Sequence, residues 1–433
     1  MPVRWNSSTL ENQARGRIAR RILPFVFLLY MIAYIDRVNV SFASLRMNAD
    51  LGFSDSAFGL GSGMFYVSYV LFEVPGAIIM ERWSARRWMG RIMISWGLVT
   101  VLTGFVETRG EFYVARFLLG LAEASFFPGM IVYLTRWFTL RDRGRAIACL
   151  YAANPAAAMI GSPLAGWLLG AHLPWLAGWR WLFVLEGIPA VLVGILTIFY
   201  LTDWPSQARW LAEDERSWLT GELDRELRLK KERKDYTIVQ AFCEWRIVLL
   251  ILAYFLALSG ALATIYWLPT FVKRLSGLPV RTVTSLLLVP ALIGMIGILL
   301  NGWHSDKSGE RRLHAAIPLL SAALTFGALI IFRQNIPAAV TCLLFGSGFL
   351  YAYYPAFWSM PTMILSQSAA AATFGLINSV GQLGGLFGPW AIGALNDRTK
   401  SLTASFGFIA LAYLGAASLL LCLKVDNPTR SAE

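Results

Sequence analysis

Twelve stretches of mostly apolar residues run along the chain. Each is bounded by charge or by Gly and Pro. They lie near residues 22–44, 57–80, 90–107, 112–137, 145–171, 180–202, 246–271, 282–303, 314–332, 337–362, 372–395 and 402–424. About twenty apolar helical residues cross a bilayer core of ~30 Å, so the pattern predicts an all-α protein of twelve transmembrane helices. The first stretch is too long for the apolar part of a cleavable signal, and it contains Asp36 and Arg37. The longest polar segment, 203–243, falls between the sixth and seventh stretches. In it Glu222/Glu226 and Leu219/Leu223/Leu227 recur at four-residue spacing. That predicts an amphipathic helix lying on one membrane face; a solvated linker is the competing reading.

Composition supports this. Of 433 residues 57% are apolar and 15% charged, against about 25% charged in soluble domains. This excludes a disordered chain, a nucleic-acid-binding domain and an ordinary soluble enzyme. The net charge of +12 would otherwise suggest a nucleic-acid partner. In membrane proteins, however, basic residues gather in cytoplasmic loops. Twelve spans put both ends of the chain on one side. The short loops and amino tail on that side hold sixteen Lys and Arg, and the opposite loops hold nine. The expectation is a multi-pass plasma-membrane protein with both tails cytoplasmic. Its layout is a tail (1–21), a six-helix half (22–202), a central loop (203–243), a second half (244–424) and a tail (425–433). Cys149, Cys243, Cys342 and Cys422 are dispersed, as are His172, His304 and His314. Neither set has metal or disulfide spacing, and no cofactor is expected.

Three anchors repeat at nearly one separation. Glu81-Arg82-Trp83-Ser84-Ala85-Arg86-Arg87 is echoed by Asp306-Lys307-Ser308-Gly309-Glu310-Arg311-Arg312. Gly120 with Phe126-Phe127-Pro128 is echoed by Gly346 with Tyr353-Tyr354-Pro355. Ser162-Pro163 is echoed by Gly388-Pro389. The offsets of 225 to 227 residues, read from the sequence, indicate a duplicated six-span unit. Parallel repeats of this kind place a substrate site near the midplane between rocking halves. In each acidic-basic turn a carboxylate faces arginines, which suits a breakable latch: Glu81, Arg82 and Arg86 in the first, Asp306, Lys307 and Arg311 in the second. A solvated positive loop would explain the arginines alone.

On these turns the chain resembles the major facilitator superfamily over essentially its whole length. The second copy, from Gly302 to Arg312, fits that superfamily's loop signature in full. The first departs from it at Ala77, Glu81 and Ser84.

Charges within the spans are costly, at ~2.5–3.5 kcal/mol each on translocon scales, and are functional candidates by default. Asp36 and Arg37 lie inside the first span, and Arg116 lies at similar depth in the fourth. The two arginines could face one cavity and hold an anion between them; snorkelling to the outer interface is the alternative for Arg116. Glu123 follows Arg116 by two turns, so it is expected on the same face, where Arg116 would offset its charge or it would carry a proton. Glu73 reads as a structural partner of the basic loop, and Glu186, near Arg180, as structural too.

Asp36-Arg37-x-Asn39, Arg116-x-x-x-Gly120-x-x-Glu123-Ala124 and Asp203-x-Pro205-x-x-Ala208-x-Trp210-Leu211 together resemble the anion:cation symporter family. That family includes permeases for tartrate, sugar acids and hydroxyphenylacetate. The resemblance implies that Asp36 and Glu123 are protonatable carboxylates and Arg37 and Arg116 intramembrane arginines, Arg37 being the direct substrate contact. It also implies that Tyr34, Tyr69, Asn154, Trp358 and Asn378 line the cavity. The expected function is proton-coupled uptake of a small organic anion by a chain that works as a monomer in the bilayer, with protons as co-substrate and no nucleic-acid partner. Two alternatives stay open. One is export by proton antiport, for which Gly161-Ser162-Pro163-Leu164-Ala165-Gly166 is a degraded motif. The other is a non-transporting sensor. No HExxH, GxSxG or Walker pattern supports an enzyme.

Overall fold

A computed structural model describes residues 10–171, 174–231, 244–364 and 367–423. His172 and Cys243 lie outside the described residues. The spans, in order, are Leu10–Asp50, Asp55–Arg82, Ala85–Thr103, Arg109–Glu123 with Phe126–Trp137, Leu140–Gly170 and Gly178–Tyr200. The second set comprises Trp245–Ser276, Val280–Leu286 with Leu288–Ser308, Arg312–Ile331, Ile336–Phe349 with Tyr354–Ser359 and Pro361–Ile364, Gln367–Gln382 with Gly384–Thr399, and Leu402–Cys422. Ten of the twelve are long and apolar enough to cross a bilayer by themselves. The third carries Arg86, Arg87 and Arg91 in its first two turns, and the eleventh is interrupted at Leu383. The expected twelve-helix architecture in two six-helix halves is therefore present.

Contacts at the helix ends define two faces. One, here called apical, joins Trp179 to Asp50 (2.8 Å), Arg180 to the Gly104 carbonyl (2.9 Å) and Arg333 to Thr403 (3.0 Å). The other, basal, joins Ser84 to Asp203 (2.7 Å) and Arg312 to the Leu423 carbonyl (3.2 Å). The first helix has 41 residues, about 62 Å at 1.5 Å each, so it outruns the expected span of 22–44. Its basal end is held by Arg15, which donates two hydrogen bonds to Asp142 (2.5 and 2.6 Å), and by Arg17 on Glu215 (2.7 Å). The central segment forms the expected helix, Glu213–Lys231. Leu219 is buried, and Glu226 accepts from the Leu140 amide (2.7 Å). Residues 232–243 lie outside the described residues.

The latch turns differ from one another. In the second copy Arg311 bonds Asp306 (2.6 Å) and Ser305 (3.0 Å), as expected; Lys307 instead sits over the Trp303 ring. In the first copy the acid that Arg86 meets is Asp203, through its backbone amide (2.9 Å) and its guanidinium (3.3 Å). Arg82 ends the second helix and is exposed. The Glu81 side chain lies outside the described residues. Asp203, from the Asp203-x-Pro205 motif at the start of the central loop, thus gives Arg86 a carboxylate partner.

The halves meet where the first span packs on the seventh, the second on the eleventh and the fifth on the eighth. Their apical seam is closed by polar contacts. Arg274 clasps Asp55 through two bonds (2.5 and 2.6 Å), and Asp397 accepts from the Ser56 amide (2.9 Å) and hydroxyl. Backbones touch beneath them: a Cβ at Gly59 would lie 2.3 Å from the Pro389 carbonyl oxygen. Gly59→Ala is therefore expected to lower unfolding stability by about 1–3 kcal/mol through overpacking. Gly144→Ala, which meets nothing within 4 Å, should not. Thermal unfolding in detergent separates the two.

Desolvation would raise the Asp397 carboxyl, but its bonds from Ser56 and neighbouring donors outweigh that and hold it below the usual range. A depressed folded value means that the stabilisation is full above the unfolded value of about 3.9 and fades as pH falls through the folded one. The stability difference between the wild type and Asp397→Asn should be constant above about pH 4 and shrink below it. A constant difference down to strong acid would contradict this.

Candidate functional site

The site is built on a broken helix. The fourth span stops at Glu123 and restarts at Phe126, with Ser125 in the left-handed region at φ 70°. A non-glycine residue there costs roughly 1–2 kcal/mol, so its surroundings must impose the conformation. Ser125 is wholly buried, and its hydroxyl accepts from the Trp88 indole (3.2 Å). Gly76 makes room: a Cβ there would lie 2.4 Å from the Ser125 Oγ. The break sets the Glu123 side chain at the end of a helix, against the first span.

There Glu123 meets Arg37, and the two form a buried ion pair. Arg116 and Glu123 lie on the continuous helix Arg109–Glu123, on one face as expected, and at the end of that helix Glu123 bonds Arg37. The two arginines converge. Arg37 lies 5.5 Å and Arg116 5.2 Å from the centre of the Phe65 ring. Arg116 is completely buried, donates to the Tyr266 hydroxyl (3.3 Å), and has a buried Nε without a partner. Tyr266 also bonds Tyr66 across the halves (3.3 Å). Tyr69 stacks on Phe65 and offers its ring to Arg37 at 5.5 Å.

Asp36 turns away from Arg37. Its oxygens accept from Thr100 (2.9 Å) and Asn39 (3.1 Å). Tyr34 reaches the second half through Tyr351 (3.1 Å). An apolar cavity of about 70 Å³ lies next to this bond, lined by Tyr34, Val38 and Ser41 and by Thr264 and Tyr351 opposite. Among the described residues its lining carries none that is charged. Asn378 donates to Glu73 (2.9 Å). Glu73 therefore joins the second and eleventh spans, a correction to its expected place on the basic loop. Trp358 packs edge-on against Tyr254 (5.0 Å) and beside Phe374 (5.5 Å). Asn154 is half-buried with an unpartnered buried Oδ1.

Arg37, Arg116, Glu123 and Tyr69 are thus brought together around Phe65, while Tyr34 and Asn378 reach across the seam at two other points. Tyr266, Tyr351, Phe65 and Thr100 were not expected. Aromatics are frequent throughout the chain, so nothing in the sequence singles these out.

A twelve-helix bundle in two halves, with a buried ion pair beside the seam, defines a membrane carrier. The chain belongs to the Major Facilitator Superfamily, whose model matches residues 26–389. It is 42% identical over 436 residues to the "Putative tartrate transporter" of Agrobacterium vitis, covering 99% of this chain and 96% of that one. It is 36% identical to the "Quinolone resistance transporter" of Acinetobacter baumannii, covering 93% of each. Among solved structures, a D-xylose-proton symporter superposes with a TM-score of 0.74 at 15% identity, covering 94% of this chain and 98% of that one. The chain is accordingly an integral multi-pass transporter of small molecules and not an enzyme.

Removing one partner of a buried ion pair strands the other in low dielectric, at about 3–5 kcal/mol. Glu123→Ala should lower unfolding stability on that scale, and the double variant with Arg37→Ala should recover part of the loss. Additive losses in a double-mutant cycle would show that the pair is not coupled.

Proposed function

We propose that the protein takes up a small organic anion together with protons. The carrying observation is the Arg37–Glu123 pair, buried beside a second arginine whose described hydrogen bond goes to a neutral tyrosine hydroxyl. A guanidinium already bonded to a carboxylate cannot serve a second one equally well. Protonation of Glu123 removes the competitor, and the substrate carboxylate takes its place on Arg37. The exchange keeps the buried charge constant, because one proton enters with each negative charge. Asp36 offers a second acid for a dianion. The name of the Agrobacterium vitis relative supports a hydroxy-dicarboxylate among the candidates; sugar acids and aromatic acids belong to the same class.

Tyr34, Tyr69, Arg116, Asn154, Trp358 and Asn378 complete the substrate cavity in this reading. The basal turns with Arg86, Asp306 and Arg311 form the inner gate. The basal face is the cytoplasmic one, in keeping with its excess of Lys and Arg. Both tails lie inside at the plasma membrane, the two halves run from 22–202 and 244–424, and the monomer is the working unit.

Export by proton antiport is the second reading, favoured by the name of the Acinetobacter baumannii relative. Proteoliposome uptake with the proton gradient in either direction separates the two.

Ligand binding raises apparent stability, so a thermal-shift screen of mono- and dicarboxylates will identify the anion. Arg37→Ala should abolish its shift. Glu123→Gln should retain exchange of labelled substrate and lose uphill accumulation driven by a proton gradient. Undiminished accumulation in that variant would end the proton role of Glu123.

A further inference from the structure

We infer that Glu186 is a proton-binding site: it pairs with Asp36 across the Asn39 amide, and the two carboxyls hold one proton between them. On the first helix Tyr34, Val38 and Ser41 line the cavity. Asp36 and Asn39 project from the opposite face, toward the third and sixth spans, so this pair stands apart from the substrate-binding arginines.

The bonding is lopsided. Asp36 has two neutral donors, Thr100 and Asn39, which suit an ionised carboxylate. Glu186 has only the already engaged Asn39 amide near it as a possible donor among the described residues. It is 6% exposed, and its Oε2 is buried without a partner, as is the Oδ1 of Asn39, itself 1% exposed. A carboxylate accepts only. A protonated carboxyl also donates, so a proton on Glu186 relieves its charge and adds the donor that this cluster of acceptors lacks.

The charged surroundings point the same way. Asp36 is the charged group that reaches Glu186. Arg116 and Glu123 act on Asp36 from the fourth span. The sixth span packs on the third, first and fifth. The third contributes the neutral Thr100, its arginines lying nine or more residues further toward the basal end, and the charges of the fifth, Arg141 to Arg145, are also basal. No cation bonds Glu186 among the described residues. Two carboxylates sharing one amide in low dielectric do not both ionise, and the member with fewer donors keeps the proton.

The inference rests on the proton-coupled reading for its use in transport but not for its test. Infrared spectra of the purified protein at neutral pH, in water and in D₂O, report the C=O stretch of protonated carboxyls directly. The expected result is that Glu186→Gln removes the intensity of one carboxyl from that band, that Glu186→Asp restores it, and that Asp36→Asn leaves it in place. Because Gln mimics the protonated acid, Glu186→Gln should also unfold at the wild-type temperature. An unchanged band in Glu186→Gln, or a band lost in Asp36→Asn and kept in Glu186→Gln, overturns the assignment. A folded Glu186→Gln that needs ionised Glu186 for stability overturns it as well, and would appear as a lowered unfolding temperature rescued by Glu186→Asp. If the band behaves as expected while Glu123→Gln still accumulates substrate uphill, the uptake mechanism fails and the Glu186 site stands.

Discussion

The buried Arg37–Glu123 ion pair is the contact around which this site is organised. It fixes the first span to the fourth through charge and not through apolar packing. It sits where the fourth span is broken. Glu123 lies two turns from Arg116 on one unbroken helix and, as the last residue of that helix, bonds Arg37, while Arg116 donates to a tyrosine. The left-handed Ser125, the indole bond from Trp88 and the missing side chain of Gly76 all serve that break. Three spans thereby contribute to the position of one carboxylate.

The seam between the halves is held in a different manner at each level. At the apical rim it is charge, through Asp55 with Arg274 and Asp397 with Ser56. Below this it is backbone against backbone at Gly59 and Pro389. At the level of the arginines it is neutral tyrosine pairs, Tyr66 with Tyr266 and Tyr34 with Tyr351. Single neutral bonds of this sort contribute about 0.5–1.5 kcal/mol net. In the proposed transport reading, a seam that opens and closes repeatedly can break such bonds one after another. Glu73 on Asn378 adds one ionisable group to it, which ties the seam to the charge state of the interior.

The spans and their number were legible because a bilayer imposes one rule on every helix: its side chains must be apolar for about 30 Å. The central helix was legible for the related reason that a surface helix shows its buried stripe, and Leu219 is that stripe's buried member. The partners of the charges were not legible. Helical spacing places Glu123 and Arg116 on one face, and the helix is continuous between them, but spacing along one helix does not reveal that Glu123 bonds Arg37 on another. Glu73 sits near a basic loop in sequence, yet its partner is 305 residues away. Arg86 of the first latch bonds Asp203, which comes from a motif more than a hundred residues later and which the turn itself does not announce.

Charge counting then limits what the first half can carry. Asp36, Glu73, Glu123 and Glu186 stand against Arg37 and Arg116, all of them at least four-fifths buried. With every group ionised, this interior would hold two uncompensated negative charges in low dielectric, a state that proteins avoid by protonation. An anion entering such a site worsens the imbalance unless protons come with it. The surplus of acids over bases is thus itself an argument for coupling, and it does not depend on which carboxyl is filled first. It also separates two tasks. An acid that must release Arg37 has to change state in each cycle, whereas an acid paired away from the cavity can hold its proton throughout and keep the interior close to neutral. In the proposed reading Glu123 takes the first task and Glu186 the second. Asp36, bonded to Asn39 on one side and within the field of Arg116 on the other, is the group through which the two tasks are connected.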